Sequence, residues 1–175
     1  MWVTIVPTWE IVGQCGAPWP SYATHPRVCK REVVPGMFYG EFEHNLDDKG
    51  RVTLPSSFRG DLQNGVFVTR GPEGCLLLFD IDVWGELARK LKKGSISRHI
   101  TRVLFAGNQS QLDRHGRILI PAPLREYAGL TMGEPAVLVG VDDRLEIWSR
   151  DGWDRITHSV VADGQFEREL AELGL

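Results

Sequence analysis

Residues 46–59 read LDDKGRVTLPSSFR, and residues 112–125 read LDRHGRILIPAPLR. Six of these fourteen positions are identical, and three more exchange one apolar residue for another. The identical positions are Leu46/Leu112, Asp47/Asp113, Gly50/Gly116, Arg51/Arg117, Pro55/Pro121 and Arg59/Arg125. The chain therefore contains one unit used twice. The residues shared by the two copies include turn-forming, charged and helix-starting residues as well as one apolar residue, so the repeat is more than a shared hydrophobic core.

Each copy has the pattern of a strand, a tight turn and a returning strand. A strand over 37–44 leads to a loop over 48–50, whose last residue is a glycine that tolerates positive φ. Arg51 begins the returning strand. Pro55 stands where a helix can begin, since the first turn of a helix does not use the N–H that proline lacks. Residues 112–121 repeat every step.

The aspartates and glycines of the repeat are predicted to shape these turns. An aspartate before a turn accepts backbone N–H groups, so a structural role is favoured for Asp47 and Asp113 over direct chemistry. Gly50 and Gly116 are interpreted as conformational residues. Together the four form the turn-forming motif of the two loops.

Further strands and helices complete each unit. Strands are predicted over Val66–Thr69, Cys75–Phe79, Ala136–Val141 and Leu145–Trp148, with helices capped by Asp80 and Ser149 that bury Trp84 and Trp153. The predicted organisation is a first repeat at 37–91, a linking helix at 92–107, a second repeat at 108–162 and a C-terminal helix at 163–175. Two equivalent units can pair their hairpins, which predicts an α+β fold whose mainly β core closes into a small barrel.

Residues 1–36 differ from the rest in carrying five of the ten prolines without sustained periodicity. We interpret them as a disordered N-terminal extension or as a mis-assigned translation start, because the patterned sequence opens at Met37.

Composition bounds the class of protein. The 175 residues are 42% hydrophobic and 25% charged, as in an ordinary globular domain, and neither a signal peptide nor a membrane-spanning run is recognised. Cys15, Cys29 and Cys75 lack metal-type spacing, so no metal and no cofactor is expected. The net charge of −3 means that any binding of nucleic acid needs a local basic surface or many copies acting together.

The two loop tips supply such a surface. Lys49 with Arg51, and Arg114 with Arg117, put two basic residues on each tip, and arginine matches phosphate oxygens or a guanine edge with two parallel hydrogen bonds. For Arg51 and Arg117 the alternative is an ion pair with the nearby aspartate. Arg59 and Arg125 are either helix-borne additions to the basic surface or residues that close local bonds. His115 is interpreted as exposed.

From Met37 onward the chain resembles the MraZ family, on the two D-x-x-G-R motifs and on the opening MFYGEFEHNLDDKGRVTLP. The resemblance implies a pseudo-dimeric, swapped-hairpin barrel of the AbrB type, assembled into a homo-oligomeric ring. It also implies a cytoplasmic, nucleoid-associated transcriptional regulator that binds repeated short boxes in double-stranded DNA before the division and cell wall gene cluster. Arg51, Arg117 and Lys49 are the DNA contacts that it indicates, and Arg114 joins them as the basic residue of the second tip.

Two other classes of function are weighed against DNA binding. An enzyme is disfavoured, because the carboxylate pairs at 47–48 and 142–143 occupy predicted turns without a histidine, serine or cysteine partner at a fixed spacing. A non-catalytic scaffold or protein-interaction ring is the remaining alternative. A scaffold has no need of basic residues on both tips.

Overall fold

The computed structural model describes residues 37–94, 96–162 and 164–174, so the predictions for residues 1–36 lie outside it. The strands of this part are β1 Phe38–Asn45, β2 Arg51–Thr53, β3 Val66–Arg70, β4 Leu76–Asp80, β5 Asn108–Ser110, β6 Arg117–Leu119, β7 Pro135–Asp142 and β8 Arg144–Ser149. The helices are α1 Ile81–Lys93, α2 Arg98–Phe105, α3 Ala122–Tyr127, α4 Arg150–Ala162 and α5 Gln165–Glu172. A mixed fold with a mainly β core is therefore confirmed.

The strands form two antiparallel sheets. Six of them are arranged in the order β1-β7-β8-β4-β3-β5, and β2 pairs with β6 in a separate two-stranded sheet. The predicted closed barrel is not found among the described residues, because β1 and β5 are the two ends of an open sheet. The β2 and β6 strands are also short, and the proline two residues after each has no N–H for a further ladder bond.

The strands beside each tip do not pair with each other as the sequence predicts. β1 pairs with β7 along its whole length, from Phe38 opposite Asp142 to Asn45 opposite Pro135. Beyond this ladder, Leu46 has a buried side chain, and its backbone exchanges hydrogen bonds with Gly133 and Glu134. The returning strand β2 pairs with its counterpart β6 in the other repeat.

The β2–β6 pair joins the two repeats at their most similar sequences. Val52 lies opposite Ile118 at its centre, and both side chains are fully buried. Beyond the ladder, the Leu54 N–H donates to the Gly116 carbonyl at 2.9 Å, and the Ile120 N–H donates to the Gly50 carbonyl at 3.0 Å. These bonds are equivalent in the two repeats, as the approximate two-fold symmetry predicts.

The helix expected after Pro55 does not form. Residues 56–64 make successive turns, with the Phe58 N–H donating to the Pro55 carbonyl at 3.1 Å. Ser56 and Ser57 follow this proline, and serine side chains compete with helical backbone bonds. The second copy has Ala122 and Pro123 at the equivalent positions and forms α3.

The closing helices pack as the sequence predicts. Asp80 caps α1 by accepting the Asp82 N–H at 2.8 Å, and the Ser149 hydroxyl accepts the Gly152 N–H at 3.3 Å. Trp84 stacks on Phe67 with their ring centroids 3.9 Å apart, while Trp153 lies against Trp148. The tryptophans thus anchor α1 and α4 to the sheet.

Cys75 is fully buried beside Val137 and Trp148, which agrees with a packing role. Burial raises the pKa of its thiol to about 12, so the thiol is protonated at neutral pH. In the described part of the chain, none of the helices has the length and apolar character that crossing a membrane would need.

Truncating the centre of the β2–β6 pair should destabilise the whole fold. We expect Ile118→Ala to lower the free energy of unfolding by about 2–5 kcal/mol, the usual cost of emptying a buried isoleucine site. Leu119→Ala is the matched control: its side chain is 46% exposed, and the change should stay within about 0.5 kcal/mol. Urea unfolding followed by circular dichroism measures both, and equal effects would contradict the assigned packing.

Candidate nucleic-acid interface

The aspartate of each tip organises the turn that follows it. One carboxylate oxygen of Asp47 accepts the N–H groups of Lys49 at 3.0 Å and Arg51 at 2.9 Å. Asp113 accepts those of His115 at 2.8 Å and Arg117 at 3.0 Å. The two turns are therefore built by the same bonds, although their exposed residues differ.

The other carboxylate oxygen of each aspartate binds the arginine of its own tip. Arg51 donates from Nε and Nη2 to Oδ2 of Asp47, both at 2.7 Å. Arg117 makes the same two contacts with Asp113, both at 2.8 Å. Each guanidinium is thus held at two atoms, an arrangement that fixes its plane as well as its position.

The two tips also contact each other through these residues. Nη1 of Arg51 lies 3.8 Å from Oδ2 of Asp113, and Nη1 of Arg117 lies 3.6 Å from Oδ2 of Asp47. We call these four residues the charge square. Their side chains are between 26% and 30% exposed, so the square lies at the surface and its groups remain in contact with solvent.

The charge square shifts the ionisation of its members. Hydrogen bonding to the Arg51 side chain is the largest cause that lowers the pKa of Asp47, to about 2, and the Arg51 and Lys49 N–H groups lower it further. The Arg117 side chain and N–H group likewise lower the pKa of Asp113 well below its usual range. The Asp47 carboxylate in turn raises the pKa of Arg51. Asp47, Asp113 and Arg51 are therefore charged at neutral pH.

A second pair of arginines covers the tips from the opposite repeat. Arg125 donates from Nη1 to the Ile120 carbonyl at 2.6 Å, and its guanidinium lies so close to Gly50 that a Cβ there would overlap it. Arg59 donates from Nε to the Leu54 carbonyl at 2.9 Å and lies in the same way against Gly116. Glycine is thus required at each tip both for its φ of 73° and for this close approach.

The remaining tip residues are exposed and differ between the repeats. The first tip presents Asp48 and Lys49, whereas the second presents Arg114 and His115, with Nε of Arg114 donating to the histidine ring at 3.1 Å. The second tip is therefore the more basic. The exposure that the sequence indicates for His115 is confirmed.

Together the residues make a compact cationic surface. Its six cations are Lys49, Arg51, Arg59, Arg114, Arg117 and Arg125, set against three carboxylates, Asp47, Asp48 and Asp113. Such a surface can attract an anion, while the two paired aspartates keep the arginines in fixed orientations. In the described residues, no three histidine, cysteine or acidic side chains converge in a way that suits a metal ion.

The sequence leaves two uses open for Arg51 and Arg117, and the ion pair with the neighbouring aspartate is present. The placement of both tips at one surface agrees with the expectation from pseudo-symmetry. What the sequence misses is the reciprocal packing of Arg59 and Arg125, each against a glycine of the other repeat. The identity of both arginines and both glycines in the two copies is the signal that points to it.

Comparison with known proteins identifies the family. A family model described as "MraZ protein" matches the chain twice, at residues 37–106 and 103–173. The chain belongs to the MraZ family. Proteins named transcriptional regulator MraZ are its relatives: that of Roseiflexus castenholzii is 45% identical over 143 residues, 78% of this chain and 99% of the relative.

Two further relatives carry the same name. The protein of Desulforamulus reducens is 42% identical over 141 residues, 78% of this chain and 96% of its own length. That of Thermus thermophilus is 39% identical over 131 residues, 72% of this chain and 91% of its own length. Transcriptional regulators are a non-enzymatic class, so the prediction that this MraZ-family chain is a regulator and not an enzyme is confirmed.

Acid should destabilise this MraZ-family chain through the charge square. Asp47 and Asp113 have lower pKa values in the folded state than the ordinary value of about 3.9 for an unfolded aspartate. Their contribution to stability is therefore complete above about pH 5 and is lost as the pH falls through the folded pKa, about 2 for Asp47. We expect the thermal midpoint to decline over this interval.

Replacing an aspartate tests this assignment. Asp47→Asn should flatten the decline in thermal midpoint between pH 5 and pH 2, because one of the two shifted groups has been removed. Asp48→Asn is the control, since Asp48 is exposed at the same tip but lies outside the charge square. Circular dichroism melts at several pH values measure the slope, and an unchanged slope in Asp47→Asn would exclude the linkage.

Proposed function

We propose that this chain is a sequence-specific DNA-binding transcriptional regulator that contacts DNA with its two basic tips. The observation that carries the proposal is the charge square, which joins two equivalent arginine-bearing turns at one surface. The family match and the names of the relatives support it. The DNA contacts that we propose are Arg51 and Arg117, with Lys49 and Arg114 beside them.

The geometry suggests a division of work at the tips. Asp47 and Asp113 hold Arg51 and Arg117 through Nε and Nη2, which leaves Nη1 with only the longer contacts of 3.6 and 3.8 Å. We propose that this edge of each guanidinium meets a phosphate or a guanine. The exposed side chains of Lys49 and Arg114 then contact the flanking backbone, where charge positions the protein and carries little sequence information.

One chain alone would bind weakly, because three carboxylates lie among the six cations of the surface and the whole chain has a net charge of −3. We propose that several copies form a ring that engages repeated short boxes before the division and cell wall gene cluster, in the cytoplasm at the nucleoid. Linked sites gain through effective concentration, often by about 100-fold or more.

A swapped-hairpin arrangement of the AbrB type is part of the same proposal. The β2–β6 ladder, the crossed contacts of the charge square and the packing of Arg59 and Arg125 on opposite repeats all support it. In such an arrangement the two tips move as one body. A non-catalytic scaffold ring is the second candidate, which the basic residues on both tips disfavour.

Removing a tip arginine should sharply weaken specific binding without changing assembly. The DNA is an array from the protein's own upstream region. For each chain that binds it, we expect Arg51→Ala to weaken the affinity by about 5- to 150-fold. Lys49→Ala should weaken it less, with full stability, because its exposed side chain lies outside the charge square. Fluorescence anisotropy measures binding, and light scattering measures the assembled mass.

Arg144→Ala is the matched control for this experiment. Arg144 is 34% exposed and is also ion-paired, to Asp143 and Glu146, but it lies in the β7–β8 hairpin. It should bind DNA as the wild type does. Full binding by both Arg51→Ala and Lys49→Ala would reject the tips as the contact surface.

Binding should also depend steeply on salt and on the number of boxes. Each phosphate neutralised by lysine or arginine releases counterions, so affinity falls linearly on logarithmic axes as salt is added. Removing boxes from the array one at a time should weaken binding at each step, since fewer tips are engaged together. Equal affinity for one box and for several, at every salt concentration, would contradict the multivalent model.

A further inference from the structure

Two helices occupy equivalent places in the repeats and have the same apolar spacing. α2 follows α1 in the first repeat, and α5 follows α4 in the second. Ile96, Ile100 and Val103 on and just before α2 are spaced i, i+4 and i+7. Phe166, Leu170 and Leu173 have the same spacing 70 residues later, on and just after α5. The two stripes thus share their spacing, although the first begins two residues before α2 and the second begins at the second residue of α5.

The described part of the chain leaves most of both stripes exposed, with Leu170 alone among the six partly buried. Ile96, Ile100 and Val103 are 44%, 54% and 46% exposed, and Phe166 and Leu173 are 51% and 76% exposed. The helices are held by other residues, since Leu104 of α2 packs on the cluster around Trp84. Helical stripes of large apolar residues left in water are typical of surfaces that bind another protein.

The charges around the two stripes are opposite. Between Glu86 and Asp113 the sequence has no acidic residue, and its exposed basic residues are Arg89, Lys90, Lys92, Lys93, Arg98 and Arg102, with His99. Around the α5 stripe the exposed charges are Glu167, Arg168, Glu169 and Glu172. The surface around α2 is therefore basic, and the surface around α5 is mainly acidic.

We propose that α2 of one copy of this chain docks against α5 of the next copy. The apolar stripes would bury each other, and the basic rim of α1 and α2 would face the acidic rim of α5. The two surfaces of this contact are different, so a copy that binds one neighbour through α2 still has α5 free to bind another. The contact can therefore repeat around a ring. The inference rests on the ring in the proposed function and assigns the surfaces that close it.

Charge favours this occupant over the alternatives. Pairing α2 with α2 would bring like charges together, and this repulsion selects against that pairing. DNA would match the basic residues of α2 but not its three exposed aliphatic side chains, because phosphate contacts gain nothing from aliphatic surface. A second copy satisfies both the charge and the apolar surface.

The experiment reverses the charge on each surface in turn. Arg98→Glu with Arg102→Glu makes α2 acidic, and Glu167→Lys with Glu172→Lys makes α5 basic. Each variant alone should lose assembly, with at least a ~10-fold rise in the concentration needed for half-assembly, because like charges then face each other. Sedimentation velocity of the full chain, at low and high salt, measures this.

Mixing the two variants is the decisive step. The acidic α2 of the first variant then meets the basic α5 of the second, and the native α2 of the second meets the native α5 of the first. We expect assembly to return in the equimolar mixture, and also in one chain with all four changes. Asp143→Arg with Arg144→Asp is the control, because it reverses an exposed ion pair of the β7–β8 hairpin that lies outside both proposed surfaces, and it should assemble as the wild type does.

Several outcomes would overturn the proposal. A wild-type chain that is monomeric, unaffected variants, or a mixture that stays unassembled would each do so. A loss of DNA affinity in Arg98→Glu with Arg102→Glu at unchanged mass would assign the basic surface to DNA instead. If assembly behaves as expected but DNA arrays are not bound, the proposed function fails while this contact stands. Ile100→Asp should likewise prevent assembly, since it interrupts the α2 stripe.

Discussion

The pairing of two similar sequences across the repeats is the constraint on which the rest of the structure depends. β2 and β6 are three residues each, so their ladder alone offers few bonds. Val52 and Ile118 are fully buried at its centre, and Leu54 and Ile120 follow on the same buried side. Burying four such side chains favours folding by about 1.5–3 kcal/mol each before entropy is counted. The apolar face therefore holds the repeats together.

The charge square has a different part in this arrangement. Its groups are partly exposed, so solvent screening limits the stability that its ion pairs contribute. Their effect is geometric: each aspartate fixes both its own turn and its own arginine, and the crossed contacts set the distance between the tips. Arg59 and Arg125 complete the arrangement by packing against the glycine of the opposite tip. The basic surface is thus a direct product of how the repeats pair.

Much of this was predictable from the sequence, and the failures have identifiable causes. The duplicated motif predicted the turns, and the residues that follow it predicted the buried strands and the capping by Asp80, because local residue chemistry decides each of them. The pairing of β1 with β7 was not predicted, since it joins residues about 100 positions apart in the chain. For Arg51 the sequence offered two roles, and only coordinates reveal the ion pair. No helix forms after Pro55, because the side chains of Ser56 and Ser57 compete for the backbone hydrogen bonds of a helix. The prediction rested on the proline and did not take these two serines into account.

Duplication also explains how one chain can carry two unlike surfaces. At the tips the copies have kept Asp, Gly and Arg, because each turn needs its neighbour in the other repeat and neither can change alone. At α2 and α5 the charged residues are exposed, and the basic Arg98 and Arg102 of α2 contrast with the acidic Glu167 and Glu172 of α5. A symmetric pair would assemble with itself in several ways, whereas a pair of opposite charge selects one partner and one direction. The residues that match contact each other across the two repeats, whereas those that differ are exposed on the helices.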